Sequence, residues 1–447
     1  MAAVQTDFAQ GSVKQLILSQ ALPLTLAQMV QLLYNIVDRV YIGHLEGVGD
    51  LALTGLGITF PVIVLIAAFT NLYGSGGATL FAIARGRGQA DEAENILGNV
   101  FALQLGTALV LTVFCYALRR PILFLFGASE QSFFYADQYL RVYLIGTVFS
   151  MLGTGLNSYI NAQGFPRIGM MTTVLGAVIN IALDPVFIFS LNMGVRGAAL
   201  ATVISQGVSA AWVLRFLTGK KALQKLRLSR IHIQRERTGR ILSLGFPGFV
   251  MQATNSLVNI VCNTQLQSWG GDLYVEIMTV LNSVREMTAL PVQGITAGSQ
   301  PVLGFNYGAR RGERVKEGIR FAAALGTGYT LITWILVMLF PKPLIGIFSE
   351  DPETIAVGAR MLNIYFFGFV FMAFQFSGQT TFQALGKARY AIFFSLLRKV
   401  IIVVPLTLAL PAMGFGVRGV FLAEPISNLI GGLACFLTMW RVVYRRL

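Results

Sequence analysis

The sequence predicts an all-α polytopic membrane protein whose twelve transmembrane helices form two six-helix lobes, related by a pseudo-two-fold axis along the membrane normal. Of its 447 residues, 55% are hydrophobic and only 12% charged, and the mean hydropathy is +0.67, so too little charge remains to cover a soluble surface. Apolar runs of about 20 residues, the length that crosses a bilayer, recur along the whole chain between polar or Gly/Pro breaks. The second half of the chain also repeats the first. The same composition excludes disorder, collagen and a disulfide scaffold.

Residues 1–13 are polar and soft and are expected to form an N-terminal cytoplasmic segment. The run that starts near Lys14 is longer than a signal-peptide core and has no small-residue cleavage site behind it. It is therefore the first span, 14–42, and no cleaved leader is expected. Spans 52–84, 92–118, 131–162, 168–190 and 196–218 complete an N-lobe over 14–218. Residues 219–238, the longest polar connection, form a basic linker at the middle of the chain. The C-lobe, 239–447, contains spans 239–268, 274–307, 314–340, 352–385, 388–410 and 416–441. Several exceed the bilayer thickness and are expected to tilt or protrude.

The net charge of +14 would suit a nucleic-acid binder, yet the basic residues are distributed as the positive-inside rule requires. With the N-terminus inside, the even-numbered loops hold Arg85, Arg87, Arg167, the run from Lys220 to Arg240, Arg310, Arg311, Arg314, Lys316, Lys387 and Arg389. The odd-numbered loops hold only Arg119, Arg120, Arg196, Lys342 and Arg418. Both termini are thus expected in the cytoplasm, with anionic lipid rather than nucleic acid beside the linker. Cys115, Cys262 and Cys435 lie in apolar runs, and His44 and His232 in polar connections, so no zinc or redox spacing exists and no cofactor is expected.

A shift of 224 sets Pro23 on Pro247, Asn35-Ile36-Val37 on Asn259-Ile260-Val261, Gly74-Ser75 on Gly298-Ser299, and Arg87-Gly88 on Arg311-Gly312. A shift of 222 sets Phe126 on Phe348, Tyr143 on Tyr365, Phe149 on Phe371, and Gly194 to Gly197 on Gly416 to Gly419. An even number of helices per copy preserves orientation, which gives parallel repeats and a central cleft, an arrangement suited to alternating access.

Charges inside spans cost roughly 2.5 to 3.5 kcal/mol each on the insertion scale, so each needs a reason. Asp38 lies in the first span beside Arg39, and Asp184 in the fifth, one residue before Pro185. Asn180 and Asp184 share a helix face, and Pro185 frees a backbone carbonyl nearby. Asp38 is open to a pair with Arg39 or a helix-end role, although consecutive residues on a helix do not face each other. For Asp184 the structural alternative is a hydrogen bond to backbone loosened by Pro185. Jointly, two carboxylates withdrawn from water form a site that takes up a proton or a cation such as Na+. Neither recurs in the second copy, where Cys262 and Leu406 stand in their places.

The C-lobe has its own intramembrane charges: Arg285 and Glu286, Arg398 and Lys399, and Glu424. They suit either an ion-pair network or a substrate or proton role, and the sequence does not choose the partners. Gly74 to Gly77 reads as close helix packing rather than phosphate binding. Tyr139, Asn157, Asn161, Gln163, Thr202 and Gln206 are ordinary interhelical donors, some of them candidates to join the two aspartates. Tyr34 and Met287 are candidates for a substrate cavity, since aromatic and Met-lined walls suit dissimilar apolar cations.

With Asn35-Ile36-Val37-Asp38 in the first span, Gly74-Ser75-Gly76-Gly77 in the second and Asn180 through Pro185 in the fifth, the chain resembles the multidrug and toxic compound extrusion (MATE) family over nearly its whole length. Within the family it is most similar to the MepA-like bacterial branch. The resemblance implies two helical lobes arranged as a V and extrusion of cationic or amphipathic compounds against inward H+ or Na+. It also implies an N-lobe coupling cluster at Asp38, Asp184, Asn180, Asn157 and Thr202, joined by Tyr139. The acidic site of the NorM-like branch in the seventh and tenth spans is not matched, because those spans read Asn259-Ile260-Val261-Cys262-Asn263 and Asn363-Ile364-Tyr365-Phe366. The expected protein is a monomeric multidrug antiporter of the bacterial inner membrane, not an enzyme. The alternative within the superfamily is a flippase for a lipid-linked or saccharide substrate, whose cavity should expose several cationic side chains.

Overall fold

The computed structural model describes residues 6–45, 48–349 and 351–447, and no strand occurs among them. The first half consists of α1 (Val13–Gly43), α2 (Gly49–Gly86), α3 (Ala90–Ala117), α4 (Arg119–Leu125), α5 (Glu130–Ile145), α6 (Thr147–Ala162), α7 (Pro166–Pro185) and α8 (Val195–Thr218). The second half consists of α9 (Arg235–Gly270), α10 (Asp272–Gly308), α11 (Gly312–Leu339), α12 (Pro341–Gly346), α13 (Pro352–Phe366), α14 (Phe371–Ala384), α15 (Ala388–Leu396), α16 (Val404–Leu410) and α17 (Val417–Val442). Among the described residues, nine helical stretches are long and apolar enough to cross a membrane, and the bent pairs α5–α6 and α13–α14 supply one span each. The twelfth span is α10, 37 residues long, whose apolar run is diluted by Arg285, Glu286, Gln293 and Gln300. The protein is thus an all-helical, multi-pass membrane protein with the twelve-helix layout read from the sequence. The short α4 and α12 cap the loops after the third and ninth spans and were not anticipated.

Contacts divide the chain into two compact units. The first takes Leu26–Gly245 with Thr6 and Asp7, and the second takes Phe8–Thr25 and Phe246–Leu447. The division departs from the lobe boundaries read from the sequence in one respect: the opening half of α1 belongs to the second unit, and the opening turns of α9 belong to the first. Both changeovers fall within three residues of the repeat-related Pro23 and Pro247, where a helix loses one backbone hydrogen bond and bends easily. In the second unit Val13 and Ile17 are buried with Val302, and Asn306 and Arg314 donate to the Phe8 carbonyl at 3.3 and 3.2 Å. In the first unit Thr238 donates to Asn99 at 3.2 Å.

The basic linker is strapped to the first unit. Arg230 bonds Asp91 at 2.7 Å, Arg237 grips both oxygens of Glu92 at 3.0 and 2.7 Å, and Arg227 pairs with Glu94 at 3.2 Å. The same acids open α3, where carboxylates also favour the positive end of the helix dipole.

Outward faces are apolar, as a bilayer requires: Val110 and Val113 of α3 are 66% and 69% exposed. Inward, Leu97, Leu140, Leu156 and Tyr159 are fully buried in the first unit, and Leu266, Leu281, Leu362 and Phe421 in the second. The fourth and tenth spans, each read as one continuous segment, bend by 57° and 48°. The cause lies at two repeat-related glycines. A Cβ on Gly146 would come within 2.6 Å of Val203 Cγ2, and one on Gly368 within 2.4 Å of the Pro425 carbonyl oxygen, so only glycine lets each bend rest on the neighbouring helix. Gly368→Ala is expected to destabilise the protein by about 1–3 kcal/mol through overpacking against backbone. Gly328→Ala, at a helical site with nothing within 4 Å, should leave the thermal unfolding midpoint unchanged or raise it. Equal midpoints for the two variants would remove this account of the bend.

Candidate functional site

Each unit carries a cluster of polar and charged side chains in its interior. In the first, four helices contribute two side chains each, four residues apart and therefore stacked on one face: Tyr34 and Asp38 from α1, Tyr139 and Tyr143 from α5, Asn180 and Asp184 from α7, Thr202 and Gln206 from α8. Asp184 is fully buried and Asp38 is 7% exposed. Asn180 Nδ2 donates to Asp184 Oδ1 and to Thr202 Oγ1, both at 3.4 Å, and the Thr202 hydroxyl donates to the Ala198 carbonyl at 3.0 Å. Directly after Asp184, Pro185 lacks the N–H that would continue the α-helical ladder, and Val186–Ser190 runs on as a π-helical turn.

The two carboxylates are close enough to act on each other electrostatically, and the phenols of Tyr34 and Tyr139 face the same charge. Neither aspartate makes an ion pair among the described residues. The pairing of Asp38 with Arg39 is not realised; the Arg39 guanidinium stands 6.0 Å from the centre of the Phe60 ring instead. Asp38 Oδ1, Asp184 Oδ2 and Asn180 Oδ1 are buried without a hydrogen-bond partner. Two like charges with spare acceptor oxygens in an apolar bundle are costly as bare anions, and a bound proton or monovalent cation relieves that cost.

A cavity of about 770 Å³ opens beside this cluster within the first unit, walled by Tyr34, Asp38, Tyr139 and Tyr143 and by polar groups of α6 to α8. Asn157 also lines it, tied to α7 rather than to the aspartates: it donates to the Gly169 carbonyl at 3.0 Å and accepts from Thr172 at 3.1 Å. Tyr143, Gln206 and Ser150 belong to the wall, and of these only Gln206 was named among the interhelical donors read from the sequence. The signal available was the spacing of four from Tyr139 to Tyr143 and from Thr202 to Gln206.

The second unit gathers Arg285 of α10, Arg398 and Lys399 of a π-helical segment at Leu397–Val403, and Glu424 of α17. Glu424 Oε1 accepts from Arg285 at 3.2 Å, Arg398 at 3.2 Å and Lys399 at 3.0 Å. Arg398 also donates to Asn428 Oδ1 at 2.6 Å. Lys399 is the most buried of the cations, at 3% exposure. Glu286 and Met287 do not join: both are exposed, and Glu286 forms no ion pair among the described residues. On an α-helix one position turns the side chain by about 100°, so a neighbour of Arg285 points elsewhere. Tyr34 lines the cavity of the first unit.

A metal site built on three or more His, Cys, Asp or Glu side chains is absent among the described residues. A Na+ at Asp38 and Asp184 would therefore draw its remaining ligands from neutral oxygens such as those of Asn180 and Thr202.

A family model described as MatE matches residues 23–186 and 247–408. The two matches begin 224 positions apart and end 222 apart, the same two shifts that align the halves of the sequence. Over 439 residues, 98% of this chain and 94% of the relative, the sequence is 24% identical to Multidrug export protein MepA of Staphylococcus haemolyticus (strain JCSC1435). A protein of the same name from Staphylococcus aureus (strain MRSA252) is 24% identical over 436 residues, 97% of this chain and 95% of that one. The fold is similar, with a TM-score of 0.92 and 23% identity, to a crystal structure of MATE in complex with MaL6, over 98% of this chain and 99% of that one. It is equally similar, at 0.92 and 23%, to the outward-facing conformation of a multidrug resistance MATE family transporter of the MOP superfamily, over 99% and 100%.

Proposed function

This chain belongs to the MatE family, and from that premise we propose that it is a multidrug efflux antiporter that exports cationic or amphipathic organic compounds, driven by inward H+ or Na+. The observation that carries the coupling reading is the pair Asp38 and Asp184, two buried carboxylates that form no ion pair among the described residues, beside a polar, aromatic-walled cavity. An organic cation and a coupling ion compete for the same negative charge. Uptake of H+ or Na+ at the pair weakens the hold on the organic cation and favours its release, and removal of the ion restores the affinity. By linkage the two affinities oppose each other by the same factor, which is the thermodynamic content of antiport. Alternation of access between the two sides of the membrane converts that competition into transport.

Tyr34, Tyr139 and Tyr143 supply aromatic surface and hydroxyls to the cavity wall, which suits flat cations of differing shape. Gln206 and Ser150 add neutral polar groups that bind without dictating one geometry. The name of the staphylococcal relatives supports the substrate class. The loop asymmetry of Lys and Arg supports an inner-membrane orientation with both termini in the cytoplasm. The flippase alternative gains no support, since the cationic cluster of the second unit borders a cavity of only about 20 Å³, far below a phosphate-bearing head group.

The test is transport of ethidium by the purified protein in sealed vesicles with a pH gradient or a Na+ gradient imposed separately. Ethidium movement against its own gradient under one of the two, and none without either, is expected. Movement of equal size with no ion gradient would overturn antiport.

A further inference from the structure

The two clusters occupy equivalent places in the two repeats, but their charges are opposite. By the shift of 222, Glu424 stands where Thr202 stands in the first copy, Asn428 where Gln206 stands, and Tyr365 where Tyr143 stands. Arg398 and Lys399 replace Gly176 and Ala177, which border the large cavity of the first unit. The long basic side chains thus fill most of the corresponding space and leave about 20 Å³, walled by Asn282, Arg285, Tyr365, Lys399, Cys262 and Glu424 among others. That volume holds one water molecule or one small ion.

Three cations meet a single carboxylate here, so the cluster lacks negative charge in a place where net charge is costly. Glu424 is already shared by all three. Arg285 gives one nitrogen to Glu424, stands over the Tyr365 ring at 5.9 Å, and retains 28% exposure, which leaves it donors to spare and a path to the ion. We propose that this cluster binds one monovalent anion, a halide ion by the size of the cavity, held by Arg285 and Lys399. The ion supplies the charge that the protein omits, and the site is separate from the carboxylate pair of the first unit.

The test measures the thermal unfolding midpoint of the full-length protein in detergent while chloride replaces gluconate at constant sodium. A saturable rise is expected for the wild type, with at least tenfold weaker apparent affinity for chloride in Arg285→Gln. Crystals of the wild type grown in bromide provide a readout that needs no variant, and an anomalous peak against Arg285 and Lys399 is expected. Benzoate titrated in the same way separates a free halide from the carboxylate of a larger compound; a response to benzoate with none to chloride would overturn the halide assignment. A midpoint indifferent to chloride, an undiminished response in Arg285→Gln, or bromide bound only elsewhere would leave the cluster a closed set of internal ion pairs. Because each readout is binding, failure here leaves the transport reading untouched.

Discussion

Asp184→Asn and Asp38→Asn are each expected to lower ion-driven ethidium export at least tenfold at wild-type expression, without a loss of stability. The exchange keeps the size of the side chain, and an amide oxygen at position 184 still accepts from Asn180 Nδ2, so the local packing survives. What disappears is the negative charge for which, on the proposed mechanism, ion and substrate compete. Removal of an unpaired buried charge relieves a desolvation cost, so the unfolding midpoint should stay constant or rise. The double variant should lose little more than either single one, because residues that act as a unit are non-additive. Export at the wild-type rate in both single variants would remove the carboxylate pair from the mechanism.

In the other cluster the same kind of substitution should have the opposite sign. Glu424→Gln leaves Arg285, Arg398 and Lys399 facing one another without the carboxylate they share, and breaking a buried charge set by removal of one partner costs about 3–5 kcal/mol. A fall in the unfolding midpoint of several degrees is expected, with partial recovery when Lys399→Met removes one of the stranded cations. Melting of Glu424→Gln at the wild-type temperature would show that Glu424 does not hold the cluster together. The contrast between Asp184 and Glu424 is the useful part: one carboxylate is expected to be expensive to the fold and required for transport, the other to keep its unit intact.

Much of this architecture was legible in the sequence, because a bilayer imposes a length and a composition that few other environments do. All twelve spans were found within a few residues, and Asp38, Asp184 and Asn180 stood out as polar residues in apolar runs. The bends at Gly146 and Gly368 were not legible. Each depends on a residue of another helix, Val203 or Pro425, and a glycine in a span does not announce what will press on it. The mutual placement of the C-lobe charges was hidden for a similar reason: Arg285 and Glu286 are adjacent in sequence, yet only Arg285 faces Glu424. Asn157 was grouped with the aspartates through family resemblance, while its hydrogen bonds go to Gly169 and Thr172. The linker read as a basic connection beside anionic lipid, since the acids that hold it, Asp91, Glu92 and Glu94, lie more than a hundred residues earlier.

The exchange of half-helices sets a schedule for biosynthesis. Phe8–Thr25 leaves the ribosome well before the rest of its unit, and the Asn306 side chain that bonds Phe8 follows 298 residues later. At roughly 5–20 residues per second, that interval is about 15–60 s. During it the opening half of α1 must remain in the bilayer without its final neighbours, and the second unit cannot close until this oldest segment docks. Assembly of the C-terminal half is therefore tied to the birth of the N-terminal one, which makes two separately expressed halves a poor substitute for one continuous chain.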